Sequence, residues 1–136
     1  MDRIQKIYVV AFISDKNRLL IAKRNLKSSF LPGYFELPGG KIEFGEDPKE
    51  ALKRELMEEL NAEIEVGNPY HAFSFVFKEG QVHGVEIAFF AKIKNPKSII
   101  CKEHEEIKWV TKEELDNYKI SEQEKQTMIT GFEKQA

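Results

Sequence analysis

The sequence predicts an α+β domain in which a mixed β-sheet is packed between helices. Two observations lead to this prediction. Apolar segments with strand-like patterning stand on both sides of one long amphipathic segment, and further helix-start signals lie near the C-terminus. An order of strands, helix, strands and helix favours a sheet with helices on its faces. The 136 residues contain no internal repeat or long linker, so we expect a single domain over 1–136.

The chain begins with a predicted β-hairpin. Residues 7–13 are apolar and rich in β-branched side chains, which indicates a buried strand. A polar turn at 15–18 leads into a second strand at 19–23. Residues 25–45 then carry four glycines and two prolines, and we expect an irregular loop there.

A helix is predicted after this loop. Asp47 is a favourable N-cap, Pro48 suits the first helical position, and Glu50 completes a capping box. The helix is expected to run to Leu60 and to end at Asn61, a residue that tolerates the left-handed conformation.

The second half of the chain is predicted to hold four strands and two short helices. The strands are residues 63–66, closed by a turn at Gly67-Asn68-Pro69, and residues 70–77, 85–93 and 107–110. The helices are opened by capping boxes at Thr111 with Glu114 and at Ser121 with Glu124.

Composition narrows the possible functions. Hydrophobic residues make up 41% and charged residues 32%, as in ordinary globular proteins. A net charge of −2 gives no electrostatic reason to expect polymeric nucleic acid as a partner. Cys101 is the only cysteine, the N-terminus has no signal-peptide pattern, and no apolar run approaches the ~20 residues of a membrane span. We therefore expect a cytoplasmic location and no membrane partner.

The predicted helix carries an acidic face beside an apolar one, because residues three and four apart share a face. The leucines of the apolar face are Leu52, Leu56 and Leu60, and the glutamates of the acidic face are Glu55, Glu58 and Glu59. Like charges at this spacing repel, and a divalent cation would remove the conflict. Carboxylates are hard ligands, so Mg²⁺ or Mn²⁺ is favoured over zinc. A merely solvated acidic face is the alternative.

The glycines before the helix support the metal interpretation. Gly39 and Gly40 let the backbone approach a ligand closely. A glycine-rich loop that leads into an acidic helix is suited to cradle a metal–diphosphate complex.

At this point the sequence resembles a known family. The segment is similar to the Nudix box, G-x5-E-x7-R-E-U-x-E-E-x-G-U with U aliphatic. The matching positions are Gly40, Glu46, Arg54, Glu55, Leu56, Glu58, Glu59 and Ala62. Asn61 stands where the family has glycine, and we expect the site to stay intact because Asn also accepts a left-handed cap. The resemblance implies a Nudix-type α/β/α sandwich with a central mixed sheet.

The resemblance also implies roles for individual residues. The implied metal ligands are Gly39, through its carbonyl, and Glu55, Glu58 and Glu59. The implied catalytic set is Glu58, the orienting pair Arg54 and Glu46, and one acid from a later loop. Among Glu103, Glu105 and Glu106 we favour Glu103, because it lies six residues before Trp109 as in MutT-like members.

Substrate contacts are implied less directly. The run from Phe35 to Lys41 is similar to that of MutT-like nucleoside triphosphate pyrophosphohydrolases, which makes Arg24, Phe35, Gly40 and Lys41 the expected substrate-binding residues. Aromatic side chains suited to stack on a base, or simply to form core, are Tyr8, Tyr34, Phe73 and Phe75. No asparagine follows Asn117, so selectivity for oxidised guanine is not predicted.

Three functions remain open from the sequence, each with a small nucleotide as partner. The first is hydrolysis of a nucleoside triphosphate to a monophosphate and pyrophosphate. The second is hydrolysis of a dinucleoside polyphosphate or a nucleotide sugar. The third is a nucleotide-binding sensor without catalysis, against which the intact Glu55, Glu58 and Glu59 argue. The spacing of His71, His83 and His104 indicates no metal site.

Overall fold

The computed structural model describes residues 2–135, which form a mixed seven-stranded sheet between two α-helices. The strands are β1 (Ile4–Asp15), β2 (Arg18–Lys23), β3 (Phe35–Glu36), β4 (Gly39–Lys41), β5 (Ile64–Phe77), β6 (Val82–Ile93) and β7 (Glu106–Val110). The helices are α1 (Pro48–Leu60) and α2 (Glu122–Gln135), with short 3₁₀ helices at Pro96–Ser98 and Glu113–Asn117. Over residues 2–135, no helix has both the length and the apolar character needed to cross a bilayer.

Strand β1 organises the sheet. It pairs in parallel with β6 from Ile4 with Val82 to Ile13 with Ala91, and it pairs antiparallel with β2 and β4. The strand order is β3-β2-β1-β6-β5, with β7 on β2 and β4 on β1. The parallel β1–β6 pair makes the sheet mixed, as the sequence predicts.

Each face of the sheet is covered by one helix. On one face, the fully buried Leu52, Leu56 and Leu60 of α1 pack against β1 and β6. On the other face, Met128 of α2 packs against a cluster that includes Phe12. This arrangement confirms the predicted sandwich and places the three leucines on the buried face of the helix.

Helix α1 has the predicted bounds but not the predicted capping box. Asp47 accepts a hydrogen bond from the Lys49 amide at 3.0 Å, and Asn61 adopts the left-handed conformation with φ of 53°. The side chain of Glu50 pairs with Lys53 at 3.5 Å instead of returning to the N-cap. The helix start is therefore stabilised by the Asp47 cap and by Pro48.

The predicted turn at Gly67-Asn68-Pro69 is wrong. Residues 64–66 and 70–77 belong to one strand, β5, and the pairing with β6 shifts register on both sides of Pro69. A proline lacks the amide needed for a regular ladder, so a bulge accommodates it without turning the chain.

The loop over 25–45 is more regular than predicted. It contains β3 and β4, which the sequence does not reveal because strands of two or three residues carry no recognisable period. The Thr111–Glu114 capping box is confirmed by both of its hydrogen bonds, at 3.3 and 2.8 Å. The Ser121–Glu124 box forms only its first half, because the Glu124 carboxylate turns inward and accepts from the Leu37 amide at 2.9 Å.

The buried leucine face gives a stability prediction. Leu56→Ala should lower the free energy of unfolding by about 2–5 kcal/mol, because it leaves a cavity under the helix. Met57 is 41% exposed on the same turn, so Met57→Ala should change stability by no more than about 0.5 kcal/mol. Urea unfolding of both variants measures the difference, and equal losses would contradict the assigned face.

Candidate functional site

The loop before α1 lies against the middle of that helix because β4 pairs with β1. Gly39 pairs with Val10 and Gly40 with Val9. A Cβ at position 39 would collide with the Val9 carbonyl, and one at position 40 would collide with the Glu55 carboxyl group. Only glycine at both positions permits this approach, which places the Glu55 carboxyl group directly on the loop backbone.

Arg54 connects this loop to α1. Its Nε and Nη2 donate to the two carboxylate oxygens of Glu46 at 2.6 and 2.8 Å, and Nη2 also donates to the Lys41 carbonyl at 3.1 Å. Its Nη1 donates to Glu55 at 3.0 Å and to Glu58 at 3.2 Å. One guanidinium thus contacts three carboxylates, and the orienting role of Arg54 and Glu46 stays a prediction.

The Arg54–Glu46 pair is charged over a wide pH range. Hydrogen bonds from Arg54, and from the Glu43 amide, lower the pKa of Glu46 to about 2. The Glu46 carboxylate in turn raises the pKa of Arg54. Both side chains are therefore charged in the folded protein at neutral pH.

The three helix glutamates differ in environment, so the predicted acidic face is not uniformly exposed. The Glu58 side chain is 51% exposed and that of Glu55 14%, whereas Glu59 is 3% exposed. The backbone carbonyl of Glu59 accepts from the Lys102 amide at 2.8 Å, so the segment that follows Ile100 lies against this end of α1. Burial, followed by the hydrogen bond and charge of Glu55, raises the pKa of Glu59 to about 10.

His104 and Glu36 belong to the site although the sequence did not identify them. His104 places Nε2 3.0 Å from a Glu36 carboxylate oxygen and Nδ1 3.5 Å from Glu59 Oε1. Glu36 also accepts from Arg24 Nη1 at 2.9 Å. Arg24, Glu36, His104 and Glu59 thus form a row of neighbouring polar side chains. No sequence spacing reveals this row, because its four residues come from four separate segments of the chain.

The predicted substrate-binding residues have different surroundings. Arg24 is not a plain surface arginine, since Nε donates to the Phe30 carbonyl at 2.7 Å and Nη2 to Ser28 Oγ at 2.8 Å. Phe35 is buried, and its ring packs edge-on against Tyr118. The Lys41 side chain is exposed, and Gly40 lies against the Glu55 carboxyl group. Substrate binding by these four residues stays a prediction.

The three candidate glutamates of the later loop differ in the contacts that they make. Glu105 accepts from the Leu26 amide at 3.2 Å, and Glu106 pairs with Lys23 and Lys108. Glu103 is exposed, and its charge contributes to the raised pKa of Glu59. Glu103 therefore remains the candidate for the additional acid.

The donor chemistry suits a divalent cation. Within residues 2–135, no three His, Cys, Asp or Glu side chains are grouped so as to hold a metal ion in this arrangement. Glu59 Oε1 is nevertheless a buried oxygen without a hydrogen-bond partner, and it lies beside Glu55. Hard carboxylate oxygens held in this way are what Mg²⁺ or Mn²⁺ requires, so the residues fit such an ion.

Two adjoining cavities lie near the Gly39–Gly40 backbone, and Glu55, Glu58 and Glu59 line neither of them. The larger, of about 300 Å³, reaches Gly39 and Gly40, and the smaller, of about 100 Å³, reaches Glu124. The residues common to both are Arg24, Phe30, Glu36, Phe75 and Glu86. The aromatic residues predicted to stack on a base line one or the other cavity, and they are Tyr8, Tyr34, Phe73 and Phe75. Their stacking role stays a prediction.

The Arg54–Glu46 pair predicts a specific pH dependence. Because the folded pKa of Glu46 is lowered, its contribution to stability is complete above its ordinary pKa of 4.5 and is lost as the pH falls towards 2. The stability difference between wild type and Glu46→Gln should therefore be largest near neutral pH and should shrink below pH 4.5.

Urea unfolding at a series of pH values measures this difference. The matched control is Glu50→Gln, since Glu50 is an exposed glutamate paired only with Lys53. That variant should differ little from wild type at any pH. A Glu46→Gln difference that persists unchanged at pH 2 would contradict the proposed ion pair.

Comparison with known proteins places the chain in a family. The model of the NUDIX domain matches residues 4–131. Among curated proteins, the 8-oxo-dGTP diphosphatase of Proteus vulgaris is 46% identical over 66 residues, covering 47% of this chain and 57% of that protein. The nucleoside triphosphatase NudI of Enterobacter sp. (strain 638) is 27% identical over 128 residues, covering 87% and 90%. The chain thus spans little more than half the length of the first relative and most of the second.

Solved structures show the same fold. The crystal structure of the MutT protein from Methanosarcina mazei Go1 matches with a TM-score of 0.83 at 23% identity, covering 99% of this chain and 97% of that one. The family match covers nearly every residue, including the loop, α1 and the acidic face described above. The chain is therefore a member of the Nudix hydrolase family.

Proposed function

We propose that this protein hydrolyses a nucleoside triphosphate to the monophosphate and pyrophosphate, with Mg²⁺ as its metal and Mn²⁺ as a substitute. The observation that carries the proposal is the glutamate cluster of α1 beside the glycine loop. The Glu55 carboxyl group lies against Gly40, Arg54 joins it to Glu58, and Gly39 and Gly40 line an aromatic cavity. The relatives named 8-oxo-dGTP diphosphatase and nucleoside triphosphatase support a triphosphate substrate. We place the activity in one domain over 1–136, in the cytoplasm, where the free thiol of Cys101 suits a reducing environment.

The metal would be held by Glu55, Glu58 and Glu59, with the Gly39 carbonyl as a further oxygen ligand. Bound there, it supplies charge neutralisation of the diphosphate and a water of lowered pKa. The chain's own residues prepare this site. Arg54, fixed by its bidentate contact with Glu46, holds Glu55 and Glu58 on the loop side of α1.

The remaining groups position the substrate. Arg24 lies between the two cavities and would neutralise phosphate charge as the nucleotide enters. His104 lies between Glu36 and the buried Glu59, and its contact of 3.0 Å orients the Glu36 carboxylate. The exposed Glu103 is the additional acid that we assign to proton transfer with water. A sensor without catalysis would have no need of this orienting network.

Metal binding is predicted to begin at the acidic helix. Titration with Mn²⁺ should broaden the NMR signals of residues 55–59 before any others, because the paramagnetic ion is then closest to them. His71 on β5 and His83 on β6 provide the control, since neither belongs to this helix. Broadening that is uniform, or that starts at the histidines, would rule out the assigned ligands.

Catalysis is predicted to depend on Glu58. Glu58→Gln removes one carboxylate charge from a half-exposed helix position and should change stability by no more than about 0.5 kcal/mol. The hydrolysis rate should fall by at least about a hundredfold, because metal-assisted stabilisation is worth several kcal/mol and each ~1.4 kcal/mol is a factor of ten.

The assay measures products by mass over a panel of nucleotides with Mg²⁺. Release of pyrophosphate identifies a triphosphate substrate, whereas two nucleoside phosphates or a sugar phosphate would identify a dinucleoside polyphosphate or a nucleotide sugar. Glu50→Gln is the matched control on the same helix and should retain the wild-type rate. A folded Glu58→Gln protein with the wild-type rate would refute the mechanism.

A further inference from the structure

The candidate acid Glu103 lies on a segment that has no regular secondary structure. Residues 99–105 form neither helix nor strand, and the Glu103 side chain is exposed. On either side of it, the amides of Lys102 and Glu105 donate to backbone carbonyls of α1 and β2, at 2.8 and 3.0 Å. These bonds hold the segment against α1, but an exposed side chain on an irregular segment is not fixed by burial. The position of Glu103 therefore depends on its neighbours.

His104, the next residue, is a buried anchor for this segment. Its side chain is only 9% exposed, and the imidazole ring lies between β3 and α1. Nε2 is 3.0 Å from a Glu36 carboxylate oxygen, and Nδ1 is 3.5 Å from Glu59 Oε1. The His104 carbonyl also accepts from Cys101 Sγ at 3.2 Å, which adds a contact within the segment. Because consecutive Cα atoms are about 3.8 Å apart, fixing His104 also fixes the backbone of Glu103.

The partner of this anchor is held in turn. Glu36 binds His104 through one carboxylate oxygen and accepts from Arg24 Nη1 through the other, at 2.9 Å. Arg24 is itself fixed, because it donates to the Phe30 carbonyl at 2.7 Å and to Ser28 Oγ at 2.8 Å. A carboxylate that binds a partner through each oxygen cannot turn without losing one of them. The contacts from Arg24 to His104 therefore hold the imidazole ring in one orientation.

His104 itself lies outside the substrate cavities. Both cavities are lined by Arg24 and Glu36, but neither is lined by His104. The imidazole ring is enclosed by protein instead. Any effect of His104 on hydrolysis must therefore pass through the residues that it holds in place.

We propose that His104 is a positioning residue, which fixes the segment 99–105 so that Glu103 stays within reach of the water that attacks the diphosphate. This inference rests on the proposed hydrolysis, in which Glu103 exchanges a proton with water. A reacting group displaced by about 1 Å can lose roughly a hundredfold in rate, and loss of a residue that orients a functional group typically costs about 10–100-fold. His104 should therefore affect kcat without being a catalytic residue.

Steady-state kinetics on the best nucleotide test this role. His104→Ala should lower kcat at least about tenfold and change KM by less than about twofold, because the substrate cavities are untouched. His104→Gln offers an amide donor to Glu36 in place of Nε2 and should recover most of the lost kcat. His83→Ala is the matched control and should keep the wild-type kcat, since His83 bonds to Gln5 at 3.0 Å elsewhere on the sheet. A raised KM with an unchanged kcat would overturn the proposal.

A double mutant decides whether His104 acts through Glu103. Glu103→Gln removes the acid and should lower kcat by itself. If His104 serves to place that acid, His104→Ala should lower kcat no further in the Glu103→Gln protein. An undiminished loss in that background would show that His104 acts elsewhere, and a Glu103→Gln protein with the wild-type kcat would leave His104 nothing to place. Either result would overturn the proposal.

Binding of Mn²⁺ without nucleotide covers the alternative that His104 serves the metal site through Glu59. The Mn²⁺ affinity of His104→Ala, measured by calorimetry, should stay within about twofold of wild type. A loss of tenfold or more would place the role of His104 at the metal ligands and would overturn the proposal.

Amide hydrogen exchange separates this inference from the proposed reaction. In His104→Ala, the amides of Lys102 and Glu105 should exchange at least about tenfold faster than in wild type, whereas the Leu56 amide within α1 should be unchanged. His104→Asn, whose side chain is too short to reach Glu36, takes its place if His104→Ala fails to fold. Wild-type exchange at Lys102 and Glu105 would overturn the proposal. A protein that hydrolyses no nucleotide with Mg²⁺ would remove the reaction, while faster exchange would still establish His104 as the anchor of the segment.

Discussion

The geometry of the site depends on one guanidinium group. Arg54 binds Glu46 through two parallel hydrogen bonds and at the same time contacts Glu55, Glu58 and the Lys41 carbonyl. A planar group with five donors makes such a set of contacts, whereas a lysine ammonium, which is a point charge, does not. The glycine-rich loop and the helix are thereby held in one arrangement before any ligand arrives, and three carboxylates around a single cation leave negative charge to attract a metal ion.

Buried acids lie at two separate places in the fold. Glu59 lies beside Glu55 on α1, whereas Glu86 and Glu124 line the smaller cavity on the other face of the sheet, and in each case burial disfavours the ionised form. Arg24 lines both cavities. Groups with strongly perturbed pKa values in a cleft are typical of functional sites, because a fold that served stability alone would not retain unsatisfied carboxyl groups.

Local signals predicted α1 and its acidic motif well, because caps and helical spacing are properties of neighbouring residues. Glu124 shows where such signals fail. The sequence presents it as a capping-box residue, yet its carboxylate binds the Leu37 amide across 87 positions. His104 likewise meets Glu36 across 68 positions. These contacts join segments that are far apart in the chain, so no local pattern encodes them. The bulge in β5 is predicted as a turn because Gly67 and Pro69 are also typical of turns.

The bulge in β5 also determines on which face of the sheet the later side chains of that strand lie. Between the pairs Val66–Ala91 and His71–Ala88, β5 advances five residues while β6 advances three, so the bulge holds two extra residues. An even number leaves the alternation of faces intact, which is why Val66 packs towards α1 while Phe73 and Phe75 line the cavity on the opposite face. Shortening the strand by two residues would therefore preserve the aromatic wall, whereas the loss of a single residue would turn it to the wrong side of the sheet.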